Sequence, residues 1–275
     1  MKKLVKLIQL FLLTILSVSL IACQEGGEEK NNKTLKVGVC AGPYGDMFEE
    51  AIKPSLEKKG YKVEIVEFSD YVQPNNALAD KEIDLNMFQH STYLNNFKSE
   101  HGLDLTYITE IPTAGMAIFS DKYKNIDDIE EGETIAIPND DTNLSRSLRV
   151  LKQAGIIDLD ENIDPAKATI DDIKENPKKL KFTEVGAEVM VSVLDSVGAV
   201  VINGNYAISG GLNLSDALYN EEIQEGYFNV IAIRTEDEKS QFVKDIKEIV
   251  KSNEFKSVIE DKNSQYVSFS RPKNY

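Results

Sequence analysis

The sequence predicts an α/β protein of two lobes with a cleft between them. Three observations carry this expectation. From Leu35 onward, strand-like runs alternate with stretches of helical periodicity, the pattern of mostly parallel sheets covered by helices. The alternation falls into two series, one before and one after about residue 122. A last strand and helix then return the chain to the first lobe, since each lobe needs about four or five strands to close a core. The expected division is 35–122 plus 228–275 for lobe 1 and 123–227 for lobe 2.

The elements follow in order. Leu35–Cys40 is a β run, and Asp46–Lys59 spaces Met47, Ala51 and Leu56 as a helix does, with a break or kink near Pro54. Lys62–Glu67 alternates and reads as a strand. Asn75–Asp80 reads as a short helix opened by Pro74. Ile83–Phe88 is a strand, Thr92–Glu100 a helix, and Thr106–Ile108 and Met116–Phe119 are strands. In the second series, Ile126–Ile129 is a short helix and Thr134–Ile137 a strand stopped by Pro138. Thr142–Ala154 is a helix ended by Gly155. Lys181–Glu184 and Ala199–Ile202 are strands flanking a helix over Ala187–Asp195, and Phe228–Ile233 and Lys239–Ser252 are the closing strand and helix.

Ahead of this body stands a leader. Met1-Lys2-Lys3 is basic, and Leu7 to Ala22 is a mainly apolar run interrupted by Gln9, the layout of a secretory signal. At 16 residues the run is short of the roughly 20 that a spanning helix needs. It ends Leu20-Ile21-Ala22-Cys23, which resembles the bacterial lipobox, in which the cysteine is lipidated and becomes the mature N-terminus. Residues 1–22 are therefore read as a lipoprotein signal peptide, Cys23 as the lipidation site, and 23–34 as anchor and flexible tether. The expected location is the extracytoplasmic side of the cell membrane, held by lipid.

Composition excludes some functions. Removal of residues 1–22 from 275 leaves 253, and with Lys2, Lys3 and Lys6 gone the net charge moves from −15 to about −18. Such a chain lacks the Lys and Arg excess that binds phosphate backbones, so no nucleic-acid partner is expected. It would also be repelled by an anionic leaflet, which leaves the lipid as the means of attachment. With Cys23 used at the N-terminus, Cys40 has no partner for an internal disulfide and reads as a small buried hydrophobe. The two histidines, His90 and His101, offer no zinc spacing and no evident nucleophile–base arrangement. An extracellular hydrolase is thus disfavoured, and no cofactor or metal is implied. A surface adhesin would need a repeated or exposed apolar surface, and the sequence carries no repeat.

Three clusters fall just after strands, where open α/β sheets bind ligands. Asn86 to Tyr93 brings Phe88, His90 and Tyr93 together, a surface suited to an apolar or thioether side chain, though core packing and a helix-capping His90 explain the same residues. In Ala136 to Arg146, Asp141 or Thr142 caps a helix, and Arg146 lies in its first turn, where a cation opposes the dipole. A ligand carboxylate or an ion pair with a nearby Asp would account for it. In Val200 to Ala207, Asn203 offers donor and acceptor, or simple turn chemistry. Tyr71 and Asn229 are weaker candidates of the same kind.

Taken together these segments resemble a family. Val37-Gly38-Val39 with Ala41-Gly42-Pro43, Glu67 to Asn75, Phe88-Gln89-His90 with Tyr93-Leu94, Ala136 to Asp140, Asn143-Leu144 with Arg146, Glu175 to Leu180, and Ile202-Asn203 look like the methionine-binding lipoproteins of bacterial ABC importers. The resemblance spans about Lys36 to Ile233. It implies a periplasmic-binding-protein-like fold of type II, acting as a monomer that closes on L-methionine and delivers it to a permease driven by an ATPase. It also implies that Tyr71, Phe88, His90 and Tyr93 hold the side chain, and that Asn143, Arg146, Asn203 and Asn229 hold the carboxylate and amine. The chain departs from the family pattern at Thr92, at Ser145 and over Pro43 to Met47, so a methionyl dipeptide such as glycyl-methionine, or another amino acid, is the alternative ligand.

Overall fold

A computed structural model describes residues 33–275 apart from 161, 165 and 274. The leader, Cys23 and the tether up to residue 32 lie outside the described residues. Within 33–275 there are two five-stranded sheets, each forming the centre of one lobe.

The first sheet begins with β1 (Lys33–Cys40). Its alternation puts Leu35, Val37 and Val39 into the main apolar core of the lobe. A helical segment follows, comprising α1 (Pro43–Met47), a π-turn (Phe48–Ile52) and α2 (Lys53–Lys58). The expected kink at Pro54 is absorbed by this wider turn, in which the Lys53 N–H bonds back to the Phe48 carbonyl. Next come β2 (Tyr61–Phe68), α3 (Gln73–Ala79), β3 (Leu85–Asn86), α4 (Ser91–His101) and β4 (Leu105–Glu110).

The second sheet contains β5 (Ala117–Phe119), β6 (Thr134–Pro138), β9 (Lys181–Val185), β10 (Ala199–Ile202) and β11 (Tyr219–Asn220). Between them lie α5 (Asp141–Gln153), the small hairpin β7 (Asp158–Leu159) with β8 (Ile173–Glu175), a 3-10 segment at Ala187–Ser196, and α6 (Gly204–Ser209). The chain returns through β12 (Val230–Arg234) and ends with α7 (Gln241–Ile249) and α8 (Asn253–Ile259) on the first lobe's core.

The strand order is β2-β1-β3-β12-β4 in one sheet and β11-β5-β10-β6-β9 in the other. In the first, β1 is parallel to β2 and β3, while the returning β12 inserts antiparallel between β3 and β4. Val230 to Ile233 are all buried, as a central strand covered on both faces requires. The sheets correct the expected lobe boundary. β5 pairs with β10, so the first crossing precedes Ala117 rather than following residue 122. The second crossing lies between β11 and β12, and the two crossing segments are tied together. Ile111 N–H donates to the Asn229 carbonyl (2.8 Å), and the Asn229 N–H donates to Thr113 Oγ1 (2.8 Å).

Other corrections are local. The strand expected over Ile83–Phe88 is ladder-paired only at Leu85 and Asn86, because the chain then bends to enter α4. The sequence pattern does not predict α6, α8 or the β7–β8 hairpin, each of which is too short to carry a periodic signal of its own.

Candidate ligand-binding site

The C-terminal end of β3 leads directly into α4, and the turn between them is built on His90. Its Nδ1 accepts the Tyr93 N–H (3.1 Å), so the imidazole caps the helix. That leaves Nε2 to carry the proton, 3.3 Å from Asn143 Oδ1 of the other lobe. Burial, with Arg146's charge added to it, holds the imidazole's pKa well below its ordinary value, so the ring is neutral. The helix-cap role and the cleft-facing role are thus one arrangement, since each ring nitrogen serves one of them.

Around His90 the first lobe presents an aromatic wall. The Tyr71 ring lies 5.6 Å from Phe88 and 5.9 Å from Tyr93, and Phe88 and Tyr93 meet edge-on at 6.3 Å. Behind it, Asn75, Asn86 and Gln89 form a fully buried amide network that fixes the floor. Cys40, 2 % exposed, packs with these rings and directs its thiol at the Asp70 carbonyl (3.2 Å). Burial pushes that thiol well above the usual cysteine range, in keeping with a structural role.

The second lobe contributes amides and a cation from α5 and α6. Asp140, rather than Asp141 or Thr142, caps α5; its carboxylate accepts the Asn143 N–H at 2.9 Å. Burial raises its pKa, against the pull of the Asn143 hydrogen bonds. Arg146 is therefore the sixth helical residue, one or two positions further on than expected and past the first turn, and the dipole argument for it lapses. Its partner is Glu221. Nε and Nη2 contact the two carboxylate oxygens at 2.8 and 2.5 Å, and both side chains are 3 % exposed. Burial works against the guanidinium's charge, but Glu221 outweighs it and holds the arginine's pKa above its ordinary value. Nη1 is the edge left for a further acceptor. Asn203 donates through Nδ2 to Asn143 Oδ1 (2.8 Å), while its own Oδ1 is buried with no partner among the described residues. An orphaned buried acceptor costs roughly 1–3 kcal/mol unless a donor arrives, so this atom could accept an N–H from outside the described residues.

These groups face one cavity between the lobes. Tyr71, Phe88, His90, Tyr93, Asn143, Arg146, Asn203 and Asn229 all line it, although they come from five separate segments. Asn229 sits there with its Nδ2 bonded to the Phe88 carbonyl (2.9 Å). Tyr44, Gln89, Ala114, Gly204 and Asn205 also line the cavity and were not singled out from the sequence. Gln89 and Asn205 lie inside clusters that were, but Glu221 carried no signal, being one acid in a polar run 75 residues from Arg146. The departures at Thr92 and Ser145 fall outside the lining. Thr92 Oγ1 bonds the Gly226 carbonyl, and Ser145 Oγ accepts the Ala168 N–H.

The lobes are closed on each other. The Tyr71 hydroxyl donates to Asn205 Oδ1 (2.7 Å), Asn205 Nδ2 to the Ala41 carbonyl (3.0 Å), and Asn96 Nδ2 to Thr142 Oγ1 (3.0 Å). Two glycines permit the approach. Gly42, at φ 122°, lies where a Cβ would come within 2.7 Å of the Asn205 carbonyl oxygen, and a Cβ on Gly204 would come within 2.5 Å of that of Gly115. The lining combines rings from one lobe with a cation edge and an amide acceptor from the other, a chemistry that suits a small zwitterion with an apolar arm.

The chain is similar to known proteins. The D-methionine-binding lipoprotein MetQ of Escherichia coli is 36 % identical over 241 residues, covering 86 % of this chain and 88 % of that protein. A nutrient-binding protein from Burkholderia cenocepacia, solved bound to methionine, superposes with a TM-score of 0.78 at 36 % identity, over 82 % of this chain and 95 % of that one. The substrate-binding protein of a methionine transporter from Streptococcus pneumoniae gives 0.76 at 35 % identity, over 82 % and 92 %. The sequence model of the NlpA lipoproteins matches residues 35–269, and the chain belongs to that family.

Proposed function

We propose that the protein is the extracytoplasmic, lipid-anchored substrate-binding component of an ABC importer, taking L-methionine by closure of its two lobes and delivering it to the permease. The observation that carries this reading is the division of the cavity. Tyr71, Phe88, Tyr93 and the neutral His90 of one lobe face Asn143, Arg146 and Asn203 of the other. A thioether gains about 0.3–1.5 kcal/mol from each aromatic contact. Arg146 Nη1 then takes the carboxylate, and Asn203 Oδ1 takes the ammonium. Asn229 lies beside His90 and would complete the polar end.

Ligand contacts that span both lobes exist only when the lobes are shut, so binding shifts the open–closed equilibrium toward the closed form. The protein binds and releases its ligand unchanged. Relatives named for methionine support the ligand class, and several of them are named for the D-isomer. Calorimetric titration with L-methionine, D-methionine and glycyl-methionine tests the proposal. Saturable binding of L-methionine is expected, and heat with another solute but none with L-methionine would overturn it.

A further inference from the structure

Glu221 occupies a position that the binding reading leaves unused. It lies where the chain leaves β11 to cross back to the first lobe. There it is clamped to the other crossing segment, its N–H on the Met116 carbonyl (2.9 Å) and its Oε2 on the Met116 N–H (2.8 Å). The same carboxylate takes the Nε and Nη2 edge of Arg146, which lines the cavity. The pair carries no net charge. The imidazole beside it is neutral, and the Tyr227 ring lies between two guanidiniums, Arg146 at 5.3 Å and Arg149 at 4.1 Å from its centre. The Asp140 carboxylate, held on Asn143, offsets the second of these charges, so the groups around the cavity sum to zero.

We infer that Glu221 is the specificity-determining counter-ion of the cleft. By neutralising Arg146 it sets the site for a zwitterion and against a simple carboxylate anion. It is also a positioning residue, fixing which edge of the guanidinium faces the ligand. The inference rests on the amino-acid-binding reading above. A ligand that brings both an ammonium and a carboxylate adds no net charge to a cavity that has none. A ligand lacking the ammonium would bury one uncompensated negative charge, and the fixed carboxylate of Glu221 would repel it. With Glu221 neutral, the cleft would hold one net positive charge and that penalty would reverse. A unit charge several ångströms away, at the effective dielectric of protein sites, changes affinity by about tenfold or more.

The test is the ratio of two dissociation constants measured by calorimetry, L-methionine against 4-(methylthio)butanoate, which lacks only the amino group. Glu221→Gln is expected to shift this ratio at least about tenfold toward the anion, while Glu221→Asp, which keeps the charge, leaves it near the wild-type value even where overall affinity falls. A merely structural role would weaken both ligands together, so an unchanged ratio in Glu221→Gln would overturn the inference. Should Glu221→Gln not fold, Arg146→Gln is compared with the double variant Arg146→Gln, Glu221→Gln. The first is expected to favour methioninol, which lacks the carboxylate, over methionine by at least about tenfold more than the second, and equal ratios would overturn the inference. Wild-type protein that fails to bind methionine at all overturns the function proposed above and this inference with it. Wild-type binding with unmoved ratios overturns this inference alone.

Discussion

Replacing Arg146 by alanine would strand the Glu221 carboxylate in the interior. Both side chains are 3 % exposed, and of the carboxylate's bonds only the one from the Met116 N–H would remain. Breaking a buried pair by removing one partner costs about 3–5 kcal/mol, because the remaining charge is left dry and uncompensated. For a chain of this size each kcal/mol moves the melting temperature by about 2–4 °C, so a fall of roughly 6–20 °C is expected. The loss of ligand affinity is a separate effect of about 2–5 kcal/mol. Urea and thermal unfolding of the ligand-free protein isolate the first effect, and calorimetry with methionine reads the second. The double replacement Arg146→Met with Glu221→Met removes both charges together and is expected to restore most of the stability while methionine binding stays weakened by about 2–5 kcal/mol. Wild-type-like unfolding of Arg146→Ala, within about 1 kcal/mol, would refute the buried-pair reasoning.

Three further outcomes follow from the lobe contacts. Gly204→Ala places a methyl 2.5 Å from the Gly115 carbonyl oxygen and 2.7 Å from Ala114 Cβ, so it should cost about 1–3 kcal/mol in urea unfolding and weaken ligand binding; neutrality in both would remove Gly204 from the interface argument. Tyr71→Phe deletes a hydroxyl that bridges the lobes to Asn205 Oδ1 and should weaken methionine binding by about 0.5–1.5 kcal/mol, roughly two- to tenfold; an unchanged dissociation constant would show that the bond does not contribute to closure. His90 is neutral in the fold with its pKa depressed, so its contribution to stability is fully present above its unfolded value of about 6.5 and is lost as pH falls below it, at up to about 1.4 kcal/mol per unit. His90→Asn keeps a capping side chain, and its stability should fall less between pH 7 and 5.5 than that of wild type; equal slopes would contradict a neutral buried imidazole.

Much of the fold was legible because its elements carry their own signals. β10 was read residue for residue from Ala199 to Ile202, since a short all-apolar run between turn residues has few other uses. α5 was read to within a residue at each end, because Gly155 closes it and a polar cluster opens it. The cap was misplaced by one, as Asp140, Asp141 and Thr142 all satisfy the local rule and only the bond to the Asn143 N–H chooses among them. α6 was missed because Asn203-Gly204-Asn205 reads as a turn. It is helical because the packing of Tyr206 and Ala207 against the second lobe outweighs that preference.

The site divides in the same way. The residue types of its two halves stood in the sequence, in clusters just after strands, and the family resemblance joined them. The rings, the imidazole, the amides and the arginine are therefore legible along the chain without any tertiary contact. What the sequence could not hold was the partner of Arg146. Local order offered neighbouring aspartates, and the fold supplied Glu221 from 75 residues away, on the segment that returns the chain to the first lobe. Strand and helix patterns depend on neighbours a few residues apart and can be read along the chain. A buried charge finds its counter-charge only when two crossing segments are brought side by side, and that is settled by how the two sheets pack.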